Sequence, residues 1–435
     1  METITDKERV AIANEEYNNK LEENRIVQVQ VDGKKLIIGK VSSIQDGTDS
    51  GSGEQVYVIT PNGTADNPES VQEVTVLFRG STSFFKGEDW VTDWVKNDIP
   101  MAARIFAGPE TSYPYTEMDE GRGTEQLKVS AQALKDILKT YPNAQFNIYA
   151  HSLGSMDAQY AMADLKGDDV LRIKGAWIYN GPNTYSTMSR RQQKQVDRIK
   201  GRIYNYIDHK DFIGLGYAAE GSEEAVGIVG HVYSREVTDK GWVGNITEQH
   251  MWGGYRYDEK GNLLLETDTL STYHKDLYTY TLKELKESLE LLQTHKKALS
   301  QGGYSEHEQI YLDSEQALAI GAAIAAAAQS GAEELEQLQS NAAADLQSAY
   351  NTALAGAALG KSLSGDEIEA ILAEEGAGRT DIVDKPAEEL LDKVSQAQTI
   401  AGTLTEKEGE IEQGVAALLE ADTNLAKEFS QWRQM

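Results

Sequence analysis

FNIYAHSLG, residues 146–154, is an apolar run that ends in His151 and Ser152 and passes into helix-forming residues. Two readings compete for it. Ser152 can be an ordinary serine at the start of a helix, a cap ahead of Met156 and Tyr160. It can instead occupy a sharp strand-to-helix turn that lifts its hydroxyl above a sheet, where a nucleophile is placed. The second reading requires small residues two places to either side, because strand and helix approach closely there. Ala150 and Gly154 hold those places. A helix N-terminus behind Ser152 also aims the Leu153 N–H at the position where an oxyanion forms.

The surrounding pattern supplies the sheet. VQVQVDGKKLIIG (27–39) reads as a hairpin around Asp32-Gly33, and VYVIT (56–60) and VTVLFRG (74–80) as strands buried on both faces. Helical periodicity over 125–142 is followed by strand 145–150, helix 155–165, strand 173–180, helix 189–201 and strand 202–208. Alternating strands and helices imply an α/β fold with a mainly parallel sheet covered on both faces. Residues 255–266 read as a closing hairpin with Gly261 in its turn.

From about residue 276 the pattern is helical alone. A long amphipathic helix is expected over 276–299, then helices near 306–330, 331–356, 365–375 and 386–431, with breaks near Gly360, Gly365 and Pro386. This part is rich in Ala, Glu, Gln and Leu, and its thin apolar stripes suit an elongated bundle or coiled coil. The expected organisation is therefore a catalytic domain over 1–275 and an all-helical domain over 276–435.

Charge and composition narrow the function. The 435 residues carry a formal charge of -29, which argues against nucleic-acid binding, since that needs basic patches. The charge is uneven: 25 acidic and 7 basic residues lie from position 301 on, against 45 and 34 before it. There is no cysteine, so disulfides, thiolate metal sites and a cysteine nucleophile are excluded. The first 20 residues hold no apolar core of the kind a secretory signal has. ALAIGAAIAAAA (317–328) is too short and too rich in alanine to span a bilayer. GAALGKS (356–362) has three residues between its glycines where a phosphate loop has four, and DGTDSGSGE (46–54) lacks calcium-loop spacing. No His, Asp and Glu cluster has metal spacing, so no metal or other cofactor is expected.

A serine nucleophile needs a base and a group to orient it, in the order Ser, Asp, His if the turn belongs to an α/β-hydrolase. Asp208 and Asp211 both lie at the carboxyl end of the strand RIYNYID, where such sheets keep their reactive loops. Of the later histidines, His250 sits in an expected loop, ITEQHMWGGY, and His231 begins an apparent strand, HVYSREV; loop placement favours His250, with His231 in reserve. A second oxyanion donor can come from the strand end VTVLFRGSTS (74–83), where Gly80 turns the backbone and the Ser81 N–H points inward.

FRGSTSFFKGEDW (78–90) followed by YAHSLGS (149–155) resembles the class 3 lipase family of α/β-hydrolases. In that family an F-R-G-[ST] strand end gives an oxyanion donor and a [GA]-H-S-L-G turn carries the nucleophile. NYIDHKDFIGLG (205–216) is similar to the family's acid loop, which selects Asp211 over Asp208, and EQHMWGGYRYDEKGN (248–262) to its late histidine loop, which again selects His250. The resemblance covers about residues 1–270. It implies hydrolysis of carboxylic esters, often acylglycerols or phospholipids, and so a lipid substrate. A short-chain esterase, a thioesterase or a catalytically inactive adaptor acting through its helices is the alternative. IPMAARIFAGP (99–109) can either cover an acyl site or pack on the sheet as a helix.

The helical part loosely resembles LXG-type targeting regions of type VII secretion substrates, although those precede the toxin domain and this one follows it. That resemblance implies export without a cleaved signal peptide as a toxin, small helical targeting or chaperone partners, and an immunity protein. A cytoplasmic enzyme is the alternative.

Overall fold

The computed structural model describes residues 4–18, 21–47, 55–63, 67–80, 123–211, 213–214, 216–302, 306–357 and 364–432. Two compact units divide the chain, Met1–Tyr280 and Thr281–Met435.

The first unit is built on one eight-stranded sheet whose strands lie side by side in chain order. They are β1 (Ile26–Val31), β2 (Lys34–Asp46), β3 (Gln55–Thr60), β4 (Glu73–Phe78), β5 (Gln145–His151), β6 (Ile173–Tyr179), β7 (Ile203–Ile207) and β8 (Ile228–His231). Pairings from β4 to β8 are parallel. The first three are antiparallel: the expected hairpin forms at β1–β2, and the antiparallel run goes on through β3 to β4, so the sheet is mixed. The reason is local at β1–β2. Asp32 and Gly33 both take positive φ, 50° and 80°, the two-residue hairpin turn that Asp-Gly favours. Such a turn is too short for the crossover that a parallel pair requires.

The two faces of the sheet differ in chemistry. Val74, Val76, Phe78, Phe146, Ile148, Ala150, Ala176 and Ile178 form an aliphatic face. It packs under α2 (Glu125–Thr140), α3 (Ser152–Ala163) and α4 (Arg190–Asp197) through Leu127, Leu134, Met156, Met162 and Val196. Burying such side chains contributes roughly 1.5–3 kcal/mol each. On the opposite face the alternation of side chains brings aromatic rings into cross-strand rows. Tyr149 stacks on Trp177 at 5.0 Å, Trp177 on Tyr204 at 5.7 Å and Tyr179 on Tyr206 at 5.5 Å. Helix α1 (Asp6–Asn14) covers this face, with Arg9 lying 4.4 Å from the Trp177 ring and Ile12 and Ala13 fully buried. Thr5 and Glu8 close a capping box at its start. The late hairpin, bridged at Tyr257–Leu263, grips the same helix: Lys7 N donates to Gly261 O and Leu263 N to Asp6 Oδ2.

Three expected boundaries move. The helix expected over 189–201 stops at Asp197, because the chain leaves helical geometry at Ile199 and tightens into a 3-10 turn, Lys200–Arg202, before β7. His231 ends β8 instead of beginning a strand, since the apolar residues that pair with β7 precede it. His250 lies at the end of a helix, α5 (Gly241–His250), and not in a loop; Trp252, at φ 66°, turns the chain out of it, and the Gly253 N–H closes back on the Glu248 carbonyl.

The second unit is helical throughout its described residues. Helix α6 (Thr267–Gly302) begins in the first unit and continues into the second; α7 (Glu306–Ala357), α8 (Gly365–Glu374) and α9 (Lys385–Trp432) follow. Helices expected over 306–330 and 331–356 are one. Gly331 sits inside α7 with open space around it, and its cost of about 1 kcal/mol is absorbed by strong helix formers on both sides. The break expected near Pro386 is absent: a π-helical turn, Thr380–Asp384, runs directly into α9, and Pro386 follows it inside a continuous helical run. Ile400, Ile411, Leu418 and Leu425 are exposed on α9. Among the described residues no helix is long and apolar enough to cross a membrane.

Candidate active site

Strand β5 runs straight into α3, and the single residue that makes the turn is Ser152. Its φ is 56°, a left-handed conformation that a non-glycine side chain adopts only under constraint. Ser152 is 1% exposed, and its hydroxyl has no hydrogen-bond partner among the described residues. It is no helix cap. The N-cap position belongs to His151, and no side chain makes the capping bond. A buried, unpartnered hydroxyl on a strained turn stabilises nothing locally, which sets the ordinary reading of this serine aside. The Leu153 N–H lies in the first turn of α3, among the donors that a helix N-terminus leaves unsatisfied.

The tight approach that such a turn demands is made at Gly154. A Cβ there would lie 2.1 Å from the Phe78 carbonyl oxygen of β4. Ala150, on the other flank, is fully buried with its methyl in the aliphatic core. Alanine in place of glycine at 150 therefore fills space that the core already provides.

Asp211 lies in the loop after β7 and His250 at the end of α5. The structure brings them together: His250 Nδ1 and Asp211 Oδ2 are 2.6 Å apart, with side chains 0% and 1% exposed. The second carboxylate oxygen, Oδ1, accepts the Ile213 N–H at 3.1 Å, so Asp211 is held from both sides. With Nδ1 committed to the carboxylate, proton transfer falls to Nε2. His250 is also fixed against the serine turn. The His151 ring packs on its ring at 4.4 Å, and His151 Nε2 donates to the His250 carbonyl at 2.8 Å.

The reserve residues are placed otherwise. Asp208 is fully buried, and it accepts from the Lys210 N–H, the Ser234 hydroxyl and Gln249 Nε2, the last two at 2.6 Å. It braces the loops and holds the residue just before His250. His231 stacks on His209 with centroids 4.3 Å apart, and its ring nitrogens make no hydrogen bond among the described residues. Ser81 and the segment 99–109 lie outside the described residues.

Burial pushes the His231 pKa down to about 4, with the neighbouring His209 adding to the shift, and burial alone brings His274 to about 4. An unfolded histidine titrates near about 6.5. Between these values the unfolded chain binds protons that the folded chain refuses. Stability is then expected to fall as pH drops from about 6.5 to about 4, and to level off below. Urea midpoints at pH 7 and pH 4.5 test this. His231→Asn should lose less than wild type over that interval; equal losses would exclude His231 as a cause.

Asn180 was not apparent from sequence. At the end of β6 it takes φ 46°; its Nδ2 donates to the His250 carbonyl at 3.2 Å, and its Oδ1 accepts from Asp208 N and the Tyr255 hydroxyl. One side chain thus ties the acid loop to the histidine. Asn-Gly-Pro after a strand is a turn signal that marks such a position. Trp252 also escaped notice; it lies against His151 with centroids 4.1 Å apart. Among the described residues no group of His, Asp and Glu could hold a metal ion.

No family model and no curated protein matches the chain. A search of solved structures finds a triacylglycerol lipase described as having a serine-protease triad as its catalytic centre, 14% identical, with a TM-score of 0.23. The alignment covers 40% of this chain and 59% of that one, so the chain spans less than two thirds of its length. At that score the likeness carries no weight on the fold or the site.

Proposed function

We propose that the protein is a serine ester hydrolase of α/β-hydrolase type, with Ser152 as nucleophile, His250 as general base and Asp211 as the group that orients the base. The observation that carries this reading is the buried His250–Asp211 pair held beside a strained, unpartnered Ser152. His250 Nε2 takes the Ser152 proton as Oγ attacks the ester carbonyl, and the Leu153 N–H stabilises the resulting oxyanion. The protonated imidazole then gives its proton to the departing alkoxide, and water releases the acyl group by the same steps in reverse. Asp211 stays ionised throughout and supports the imidazolium. A lipid ester as substrate is supported by the sequence resemblance around residues 78–90 and 149–155.

The test is an acyl-chain series, from acetyl to long-chain glycerol esters and phospholipid vesicles, with acid release followed. A parallel sample is treated with a phosphonate that labels activated serines. Release that rises with chain length, with the label on Ser152, is the expected result. Release confined to short chains or thioesters would replace lipase by esterase. No release and no label on folded protein would overturn the enzyme reading in favour of an adaptor.

A further inference from the structure

The N-terminal segment reaches the site through two consecutive residues that the mechanism above does not use. After α1 the chain makes a 3-10 turn, Glu15–Tyr17. Glu16 is fully buried there. Its Oε1 accepts the Gly80 N–H at 3.2 Å, and the His151 N–H also points to the carboxyl group, with the Tyr17 hydroxyl beside it. Gly80 lies just beyond β4 and His151 ends β5, and these two strands are parallel neighbours at the middle of the sheet. One side chain therefore ties the carboxyl ends of both, one residue before Ser152.

Tyr17 extends the connection. Its hydroxyl lies 2.6 Å from His151 Nδ1, and His151 Nε2 lies 2.8 Å from the His250 carbonyl. A carbonyl oxygen only accepts, so Nε2 carries the hydrogen, Nδ1 is the acceptor and Tyr17 donates. Burial, and the adjacent His250, hold His151 well below the usual histidine range, in keeping with a neutral ring. The packing leaves no slack: a Cβ on Gly80 would lie 2.2 Å from the Tyr17 hydroxyl and 2.8 Å from the His151 carbonyl.

We propose that Glu16 and Tyr17 are positioning residues that lock the serine turn against β4 and the His250 backbone against the turn. The inference rests on the serine-hydrolase reading and adds residues to that same site. The charge state matters to it. Burial raises Glu16 well above the carboxylate range, although the Gly80 and His151 N–H groups, Tyr17 and Arg79 all oppose the rise. A neutral acid can brace the turn without repelling a negative oxygen forming nearby; a carboxylate at the same place would repel it.

The experiment measures kcat and KM from pH 6 to pH 10 on the preferred ester for wild type, Glu16→Gln, Glu16→Ala and Tyr17→Phe, with thermal unfolding of each. Glu16→Gln keeps a neutral acceptor for the Gly80 N–H, so kcat near neutrality is expected within about threefold of wild type. Glu16→Ala releases the tie, and kcat should fall about 100-fold with KM nearly unchanged, as when support for the transition state alone is lost. Tyr17→Phe fills the same space without the hydroxyl and should lower kcat about tenfold at constant KM. Wild-type turnover with kcat unchanged in folded Glu16→Ala would overturn this inference alone. If Glu16→Ala does not fold, unchanged kcat in Tyr17→Phe does so. Absence of turnover in wild type would overturn it together with the hydrolase reading.

Discussion

Ser152→Ala is expected to lower kcat by about 10⁵-fold or more while leaving KM within a factor of about three. The magnitude follows from the role. Without Oγ there is no acyl-enzyme, and what is left is the oxyanion donor and substrate binding. The same substitution should leave stability unchanged or raise it by about 1 kcal/mol, because it removes a buried hydroxyl that has no partner among the described residues. Loss of activity with gain of stability separates a functional group from a structural one. Ester hydrolysis and a urea unfolding curve on the same preparation give both quantities. Activity surviving above about a tenth of wild type would remove Ser152 from the mechanism.

Asp211 and Asp208 lie in one loop, and both are buried, yet opposite results are expected from them. Asp211→Asn places an amide against His250 Nδ1, where the carboxylate is 2.6 Å away. The ring then no longer has an ionised partner to select its tautomer or support its positive charge, and kcat should fall by about 10⁴. Asp208→Asn keeps one acceptor oxygen but turns an N–H₂ group toward one of its present donors, the Ser234 hydroxyl or Gln249 Nε2. A buried donor facing a donor costs about 1–3 kcal/mol, so stability should fall while kcat stays within about tenfold. Parallel kcat and unfolding measurements on the two variants decide the assignment. A larger kcat loss in Asp208→Asn would exchange the two roles.

How much of this was legible in the sequence depended on the range over which each signal acts. The serine turn could be read because its requirements are packed into nine residues: an apolar strand, small residues at 150 and 154, and a helix behind. Strands β1 to β7 were likewise marked by runs of β-branched and aromatic residues. His250 is legible from its place after the acid, but its helix is not, since ITEQHM carries only a weak helical pattern and the helix ends at a left-handed tryptophan, Trp252, that no local signal announces. Asn180, Trp252 and the pair Glu16–Tyr17 were invisible for a different reason. Glu16 looks like a surface residue in ANEEYNNK, and only the fold reveals that its carboxyl group bonds Gly80, sixty-four positions away. The Asp32-Gly33 turn marks β1–β2 as a hairpin, but the antiparallel pairing of β3 with β2 and β4 has no such mark, because a strand's pattern gives its burial and not its direction. The continuity of α7 has no local mark either, since the helix formers on both sides of Gly331 fit two helices as well as one.

The strand order has a consequence for how the molecule comes into being. Each strand lies beside the one that precedes it in the chain, so the sheet can lengthen from β1 to β8 as the polypeptide leaves the ribosome, every new strand meeting an edge already formed. The β1–β2 hairpin is local, and the later parallel pairs need only one helix or loop to close. The residues at the reaction centre arrive on another schedule. Ser152 emerges with the middle of the sheet, Asp211 after β7, and His250 only when all eight strands exist. Glu16, made first, has to wait for Gly80 and His151 before its carboxyl group is covered. Assembly of the sheet thus precedes assembly of the site, and Ser152, Asp211 and His250 come together only after the last strand has been translated.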